Sequence, residues 1–209
     1  MEFEIRFYFP KNKKQFLEKK LDGFQELECS PRTYEKTMQF DHPCPEMSFY
    51  QKEIDGRFRL RVSSNSEQER CKISWKRRLN DTTDGNINKE EEVELTILPE
   101  EQENLLFLLE KVIKMRCVES YERYRTTFSN DEVEIALDKY PFGIALEIES
   151  KNREEAGDEI ENWADKLGLK ITNAYRLSWD DKYAELCKEQ GVQQENHVEF
   201  GKPMPEVKE

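Results

Sequence analysis

Charged side chains share one parity in six separate stretches of this chain, and few folds can accommodate that. The sets are Glu2, Glu4 and Arg6; Arg57, Arg59 and Arg61; Lys72, Lys76 and Arg78; Glu92 and Glu94; Arg123 and Arg125; and Glu147 and Glu149. Successive residues of a β-strand point to opposite faces, so each set lies on one face of an extended segment. The other parity carries Phe3, Ile5, Phe58, Leu60, Val62, Ile73, Trp75, Val93, Leu95, Ile144, Leu146 and Ile148. A single strand of this kind describes a sheet with one wet face and one face on the core. Several of these sets, however, carry only cations or only carboxylates, and like charges side by side repel unless a partner compensates them. A sheet that closes with its charged side inward supplies the partner. Clustered arginines and lysines then face clustered glutamates across an enclosed space, and the apolar parity faces out, where it needs cover.

The remaining signals fit such a closed sheet. Met1 to Phe9 alternates and Pro10 ends it, while Asn12 to Leu21 carries Phe16, Leu17 and Leu21 at helical spacing, with Gly23 as a stop. Extended chain is predicted from Glu26 to Asp41 and, after a Pro-marked turn at His42 to Pro45, from Ser48 to Gln51; Asp55-Gly56 reads as a hairpin turn. Strands follow at Arg57 to Val62, Arg70 to Arg78 and Glu91 to Ile97, the last reached through a polar loop from Asn80 to Asn88. Pro99 opens a helix through Leu105, Leu106, Leu109 and Val112. Further strands are predicted near Cys117 to Phe128, Glu132 to Leu137 and Gly143 to Glu149, the last after a turn at Pro141-Phe142-Gly143. A third helix spans Arg153 to Leu167 and a fourth Ser178 to Glu189, with Ser178 as N-cap and Asp181 at the third helical position. The expected fold class is α+β: a closed eight-stranded antiparallel β-barrel, or tunnel, with helices packed outside and a C-terminal helix. Periodicity stops at Gly191, so residues 1–190 are expected to form one tunnel domain and 191–209 a loose tail.

Composition narrows the function. Apolar residues make up 36% and charged ones 37%, but 12 Phe, 8 Tyr and 3 Trp supply the bulk of a core. A formal charge of −12 disfavours an exterior that binds nucleic acid or anionic lipid. The five cysteines include no C-x-x-C pair for zinc or redox chemistry, and with only His42 and His197 available, carboxylates must carry any metal. The short acidic run Glu90 to Glu92 has a solvated face as its default meaning. No apolar stretch approaches the roughly 20 residues of a membrane span, and the N-terminus alternates where a signal peptide would be apolar. A cytoplasmic setting, as a monomer or homodimer, is expected.

A lumen of sorted charge suits a polyphosphate with a hard cation. Guanidinium groups make bidentate, charge-assisted bonds to phosphate oxygens and lysine adds point charge. Carboxylates hold Mg²⁺ or Mn²⁺, which prefer oxygen ligands and bridge to substrate phosphates.

These residues resemble the CYTH domain, or triphosphate tunnel metalloenzyme, family. Glu2-Phe3-Glu4-Ile5-Arg6 is similar to its N-terminal E-x-E-x-K signature, with Arg where Lys is usual. Phe58-Arg59-Leu60-Arg61 resembles its L-R-x-R strand, Ser74-Trp75-Lys76 its T-x-K strand, Glu92-Val93-Glu94 its E-x-E strand, and Arg123-Tyr124-Arg125 a later basic pair. Ile135-Ala136-Leu137-Asp138, Pro141-Phe142-Gly143 and Glu147-Ile148-Glu149 resemble its I-x-L-D, P-x-G and E-I-E series, so that the resemblance runs in order from residue 2 to about 186. It implies that Glu2, Glu4, Glu147 and Glu149 are metal ligands, with Glu92, Glu94 and Asp138 as supporting carboxylates. It implies that Arg57, Arg59, Arg61, Lys72, Lys76, Arg123 and Arg125 grip phosphates, and that Glu4, Arg6 and Lys76 act in catalysis. Arg6 departs from the family's lysine, and a guanidinium is a poor proton acceptor. The C-terminal S-Y-x-x-L signature is also altered, to Ser178-Trp179 or to Tyr183-Ala184-Glu185-Leu186; either belongs to a helix expected to cap one mouth of the barrel.

The resemblance implies metal-dependent hydrolysis of inorganic tripolyphosphate or an organic triphosphate. Cyclisation of ATP to cyclic AMP and pyrophosphate, as in class IV adenylyl cyclases, is the alternative, and a non-catalytic polyphosphate or nucleotide-binding module a further one. Hydrolysis leads because no adenine-reading motif is recognisable; removal of an RNA 5′ phosphate is disfavoured by the lack of a basic exterior.

Overall fold

The computed structural model describes residues 1–79, 87–152 and 154–208. Most of the loop expected at Asn80 to Asn88, and Arg153 at the start of the expected third helix, lie outside these residues. The elements are β1 (Glu2–Phe9), α1 (Lys14–Leu21), β2 (Glu28–Cys29), β3 (Thr33–Asp41), β4 (Gly56–Ser64), β5 (Glu69–Arg78), β6 (Asn88–Ile97), α2 (Gln102–Phe107), β7 (Arg116–Ser129), β8 (Val133–Tyr140), β9 (Gly143–Ser150), α3 (Ala156–Lys166), α4 (Trp179–Gln190) and β10 (His197–Val198).

Eight strands close into a barrel in the order β7-β3-β4-β5-β6-β1-β9-β8, and β8 returns to β7. Neighbours around the ring are antiparallel, and β2 and β10 add short pairings outside it against β7. The registers carry parity around the circle. Glu4 stands opposite Glu149 and Arg6 opposite Glu147; Lys76 stands opposite both Arg57 and Glu92; Arg125 stands opposite Asp138. Facing residues in a ladder share a face, so one parity choice per strand puts all the sorted charges into the lumen.

The barrel is therefore charged inside and oily outside, and the helices cover the outside. Ile5, Phe7, Ile135, Leu146 and Ile148 are buried with Leu17 and Leu21 of α1 and Ile160, Trp163 and Ala164 of α3. Phe40, Leu60 and Cys71 are covered by Leu109 and Met115, which lie just beyond α2. Among the described residues cover is missing on β6, where Val93 and Leu95 are 58% and 63% exposed. The cause is geometric: β6 pairs with β1 only from Asn88 to Glu90 and then runs past the end of that strand.

Two segments differ from expectation. Ser48 to Gln51 is not extended, because the Asp41 carboxylate accepts hydrogen bonds from Ser48 Oγ at 2.6 Å and the Phe49 amide at 2.7 Å and folds the segment back. The C-terminal segment expected to be loose lies on the barrel. His197 and Val198 pair in parallel with Ser120 and Tyr121, Val198 is fully buried, and the Val207 amide donates to Phe142 O at 2.9 Å. Among the described residues no helix is long and apolar enough to cross a membrane.

Candidate functional site: a charged tunnel

The barrel encloses a cavity of about 540 Å³. Of the residues singled out in the sequence, Glu2, Glu4, Arg6, Arg57, Arg59, Arg61, Lys72, Lys76, Glu92, Glu94, Arg123, Arg125, Glu147 and Glu149 all line it. Asp138 does not; it is fully buried in the wall.

One wall, from β1, β6 and β9, is acidic, with a single ammonium at its centre. Lys76 Nζ lies 2.9 Å from Glu2, 3.3 Å from Glu4, 2.6 Å from Glu90 and 3.8 Å from Glu92. Burial works against the charged lysine, but Glu4, Glu2 and Glu92 outweigh it and leave its pKa above the ordinary value. Burial, followed by the charges of Glu2 and Glu4, pushes Glu149 up to about 8. The shift reflects burial first and the neighbouring carboxylates second. Glu2, Glu4 and Glu90 each bring an oxygen within 4.8 Å of the others. An all-oxygen donor set of this kind fits Mg²⁺ or Mn²⁺.

The opposite wall, from β4 and β7, is basic, and its arginines are held by carboxylates beneath them. Asp138 accepts from Arg123 Nη1 at 2.9 Å and from Arg125 Nε and Nη2 at 2.7 and 2.6 Å. Glu35 accepts from Arg123 Nε at 2.6 Å and lies 3.8 Å from Arg61. Burial acts to raise the pKa of Glu35, but Arg123, Arg61 and Arg125 hold it far below the usual carboxylate range. Asp138 is thus an anchor for two guanidinium groups, not an open carboxylate. The same holds for Glu147, expected from the resemblance as a ligand. Its Oε1 accepts from Arg6 Nε at 2.6 Å and its Oε2 from Arg125 Nη2 at 2.6 Å, so both oxygens are engaged. Glu94 sits at the rim, 2.5 Å from Lys72.

Even so anchored, the basic wall is not saturated. Arg57 Nε, Arg59 Nε and Arg123 Nη2 are buried and, among the described residues, have no hydrogen-bond acceptor. Buried donors without partners carry a desolvation cost that an anion would relieve.

Several lining residues were not picked out from sequence. Glu35 and Gln39 share a parity in β3, but with neutral Thr37 between them and Gln39 itself neutral the pattern is faint. Glu90 sits in the acidic run whose default reading is a solvated face; it is buried in the lumen, and only Glu91 of that run turns outward, 2.6 Å from Arg77. Tyr121 precedes Arg123 by two residues and so shares its face. One mouth is approached by α4, whose Ser178, Trp179 and Asp180 line the cavity. Its N-terminus carries the expected capping box of Ser178 and Asp181, and Asp180 and Asp181 lie 3.6 Å from Arg57 and Arg78.

No family model matches the sequence, and no curated protein matches it either. Solved structures do. The PH1819 protein of Pyrococcus horikoshii OT3 superposes with a TM-score of 0.65 at 21% identity, over 91% of this chain and 99% of that one. HpAC1 from Hippeastrum, described as a candidate adenylyl cyclase with a dominant triphosphatase activity, gives 0.58 at 19% identity over 93% and 98%. A candidate adenylate cyclase from Vibrio parahaemolyticus gives 0.61 at 14% identity over 86% and 97%. The chain shares the fold of these structures, a closed eight-stranded antiparallel tunnel.

Proposed function

We propose that this chain hydrolyses a triphosphate, inorganic or organic, with Mg²⁺ or Mn²⁺ in the tunnel. The observation that carries the proposal is the unsaturated basic wall: buried N–H groups of Arg57, Arg59 and Arg123 that have no acceptor among the described residues, facing an acidic wall across a cavity of about 540 Å³. A chain of phosphates bound along the arginines relieves those donors, with Arg61, Arg125 and Lys72 adding charge. Glu2, Glu4 and Glu149, with Glu92 in support, would hold the cation, which would supply Lewis-acid polarisation of the phosphoryl oxygens. Water adds to the terminal phosphorus, the bond to the bridging oxygen breaks, orthophosphate leaves and a tunnel carboxylate takes up the proton. Arg6 is always charged and serves as an electrostatic tie, not as a base. The activities described for HpAC1 support a triphosphate as substrate.

The test is a product profile. The purified chain is given tripolyphosphate or ATP with Mg²⁺ or Mn²⁺. Orthophosphate is the expected product. Pyrophosphate with cyclic AMP would replace hydrolysis by cyclisation. A rise in melting temperature with tripolyphosphate and no turnover would leave a binding module.

A further inference from the structure

We propose that the Lys76 ammonium is a resident occupant of the divalent-cation position, displaced when the cation loads and turned towards the phosphates, and that Glu90 takes the ligand place of Glu147. The inference rests on the metal-dependent reading given above and adds how the site is charged before and after loading.

The geometry around the ammonium is that of a cation site. Four carboxylates, Glu2, Glu4, Glu90 and Glu92, lie between 2.6 and 3.8 Å from one nitrogen. An ammonium has three N–H groups, one fewer than the carboxylates around it. Arg6 lies 3.0 Å from Glu4, Arg59 3.0 Å from Glu92 and Arg78 3.9 Å from Glu90, but each reaches the cluster from its edge. Lys76 is the cation that all four carboxylates share, in a place where the Glu4 and Glu90 side chains are only 5% and 9% exposed. A hard divalent cation takes six or more oxygens and carries twice the charge, so it satisfies the same cluster better.

Register decides which carboxylates take part. Glu2 stands opposite Glu90 across the β1–β6 pair, which puts both on the lumen face at the same height. Glu147 is withheld, since Arg6 and Arg125 occupy its two oxygens at 2.6 Å each. Arg6 holds Glu147 as a fork, with Nε on Glu147 and Nη2 on Glu4, where a lysine would offer one point charge.

Displacement has a destination. Lys76 stands opposite Arg57 on β4, and the neighbouring Arg59 lies 3.0 Å from Glu92. The four-carbon stem of a lysine rotates freely enough to carry its charge from the acidic wall to the basic one. Loading a cation therefore frees one positive charge for the phosphates. The two ligands then strengthen each other's binding by the same factor.

The experiment measures Mn²⁺ binding to the full chain without triphosphate, from the loss of the free-ion paramagnetic resonance signal. Lys76→Met is expected to bind Mn²⁺ at least about tenfold more tightly than the unmodified chain, because the competing charge is gone. Glu90→Gln, in the otherwise unmodified chain, is expected to weaken Mn²⁺ binding at least about tenfold, and it carries the test if Lys76→Met does not melt cooperatively. Saturating Mg²⁺ is expected to tighten tripolyphosphate binding in the unmodified chain, and to do so less in Lys76→Met. Equal Mn²⁺ affinity in all three forms would overturn the exchange and leave metal-dependent hydrolysis standing. No Mn²⁺ binding by any form would overturn both.

Discussion

Nε of Arg6 lies 2.6 Å from Oε1 of Glu147, at the point where these two residues stand directly opposite each other in the β1–β9 pair. The same guanidinium reaches Glu4 Oε1 through Nη2 at 3.0 Å. Arg6 thus ties an open carboxylate to a closed one. Arg6→Lys replaces a planar fork by a single ammonium that cannot hold both partners in that geometry. Divalent-cation affinity is expected to rise several-fold as Glu147 gains a free oxygen, with the fold intact. Titration calorimetry with Mn²⁺ checks this, and an affinity unchanged or lowered would mean that Arg6 does not control Glu147.

Glu4 is buried on the acidic wall and contacts both Arg6 and Lys76. Glu4→Gln keeps the shape and removes the charge. If a cation there supplies several kcal/mol to the transition state, orthophosphate release from tripolyphosphate should fall at least about a hundredfold. The melting temperature of the cation-free protein should not drop, since the substitution also removes repulsion within the carboxylate cluster. Full turnover in this variant would remove Glu4 from the metal site.

Asp138 separates stability from activity. It is fully buried and bonds Arg123 and Arg125, the first of them itself only 3% exposed. Asp138→Asn leaves two guanidinium groups short of counter-charge in the wall and is expected to cost about 3–5 kcal/mol. Glu94→Gln is the control. It breaks a contact with Lys72 at the exposed rim and should cost less than about 1 kcal/mol. Urea unfolding of both variants gives the comparison, and equal costs would show that Asp138 is not the anchor.

Parity made the barrel legible because an inverted sheet needs only one decision per strand: Glu2, Arg59, Lys76, Arg123 and Glu149 all fall on the lumen side once each strand is set. Parity does not say which charges meet across the lumen. Glu147 and Glu149 share a face, yet one is locked by two arginines and the other stays among carboxylates. That difference comes from partners. Arg6 stands opposite Glu147, and the small Ala136 on its other side leaves room for Arg125 to reach in, whereas Glu149 has Glu4 and Glu134 as neighbours. Consecutive charges also hide alternation, which is why Glu90 was obscured by Glu91. The β10 contact of His197 and Val198 rests on two residues, too few to show any period.

Tyr121 is expected to make triphosphate binding sensitive to alkaline pH. Burial acts to raise its pKa, but Arg123, Arg61 and Arg59 and a hydrogen bond with Thr37 outweigh this and bring it down to about 8. An unfolded tyrosine titrates near pH 10. The folded value is the lower one, so the stability it contributes is fully present above about pH 10 and is lost as pH falls through about 8. For the ligand the sign is opposite. A phenolate among the arginines cancels part of their charge, so tripolyphosphate affinity should fall between about pH 7 and pH 9. Tyr121→Phe should flatten that limb of the profile and remove the matching phenolate absorbance change. An identical pH profile in the variant would assign the limb to another group.

Gly56 bears on the site through packing alone. A Cβ on it would lie 2.1 Å from Trp75 Cη2 and 2.5 Å from Cζ2, because the indole ring crosses the first residue of β4. Trp75 also packs edge-on against Phe49, at 4.9 Å between ring centres. The ring therefore has little freedom to move away, and Gly56→Ala is expected to cost about 1–3 kcal/mol through overpacking. The next residue is Arg57, whose guanidinium sits on the Tyr50 ring at 4.3 Å and lies 3.6 Å from Asp180. A shift in the start of β4 should move that guanidinium, so tripolyphosphate affinity should fall along with the melting temperature. Urea unfolding and calorimetry on the same sample check both effects. A stable variant with unchanged tryptophan fluorescence would show that the ring yields without disturbing the strand, and the link from Gly56 to the phosphate wall would be lost.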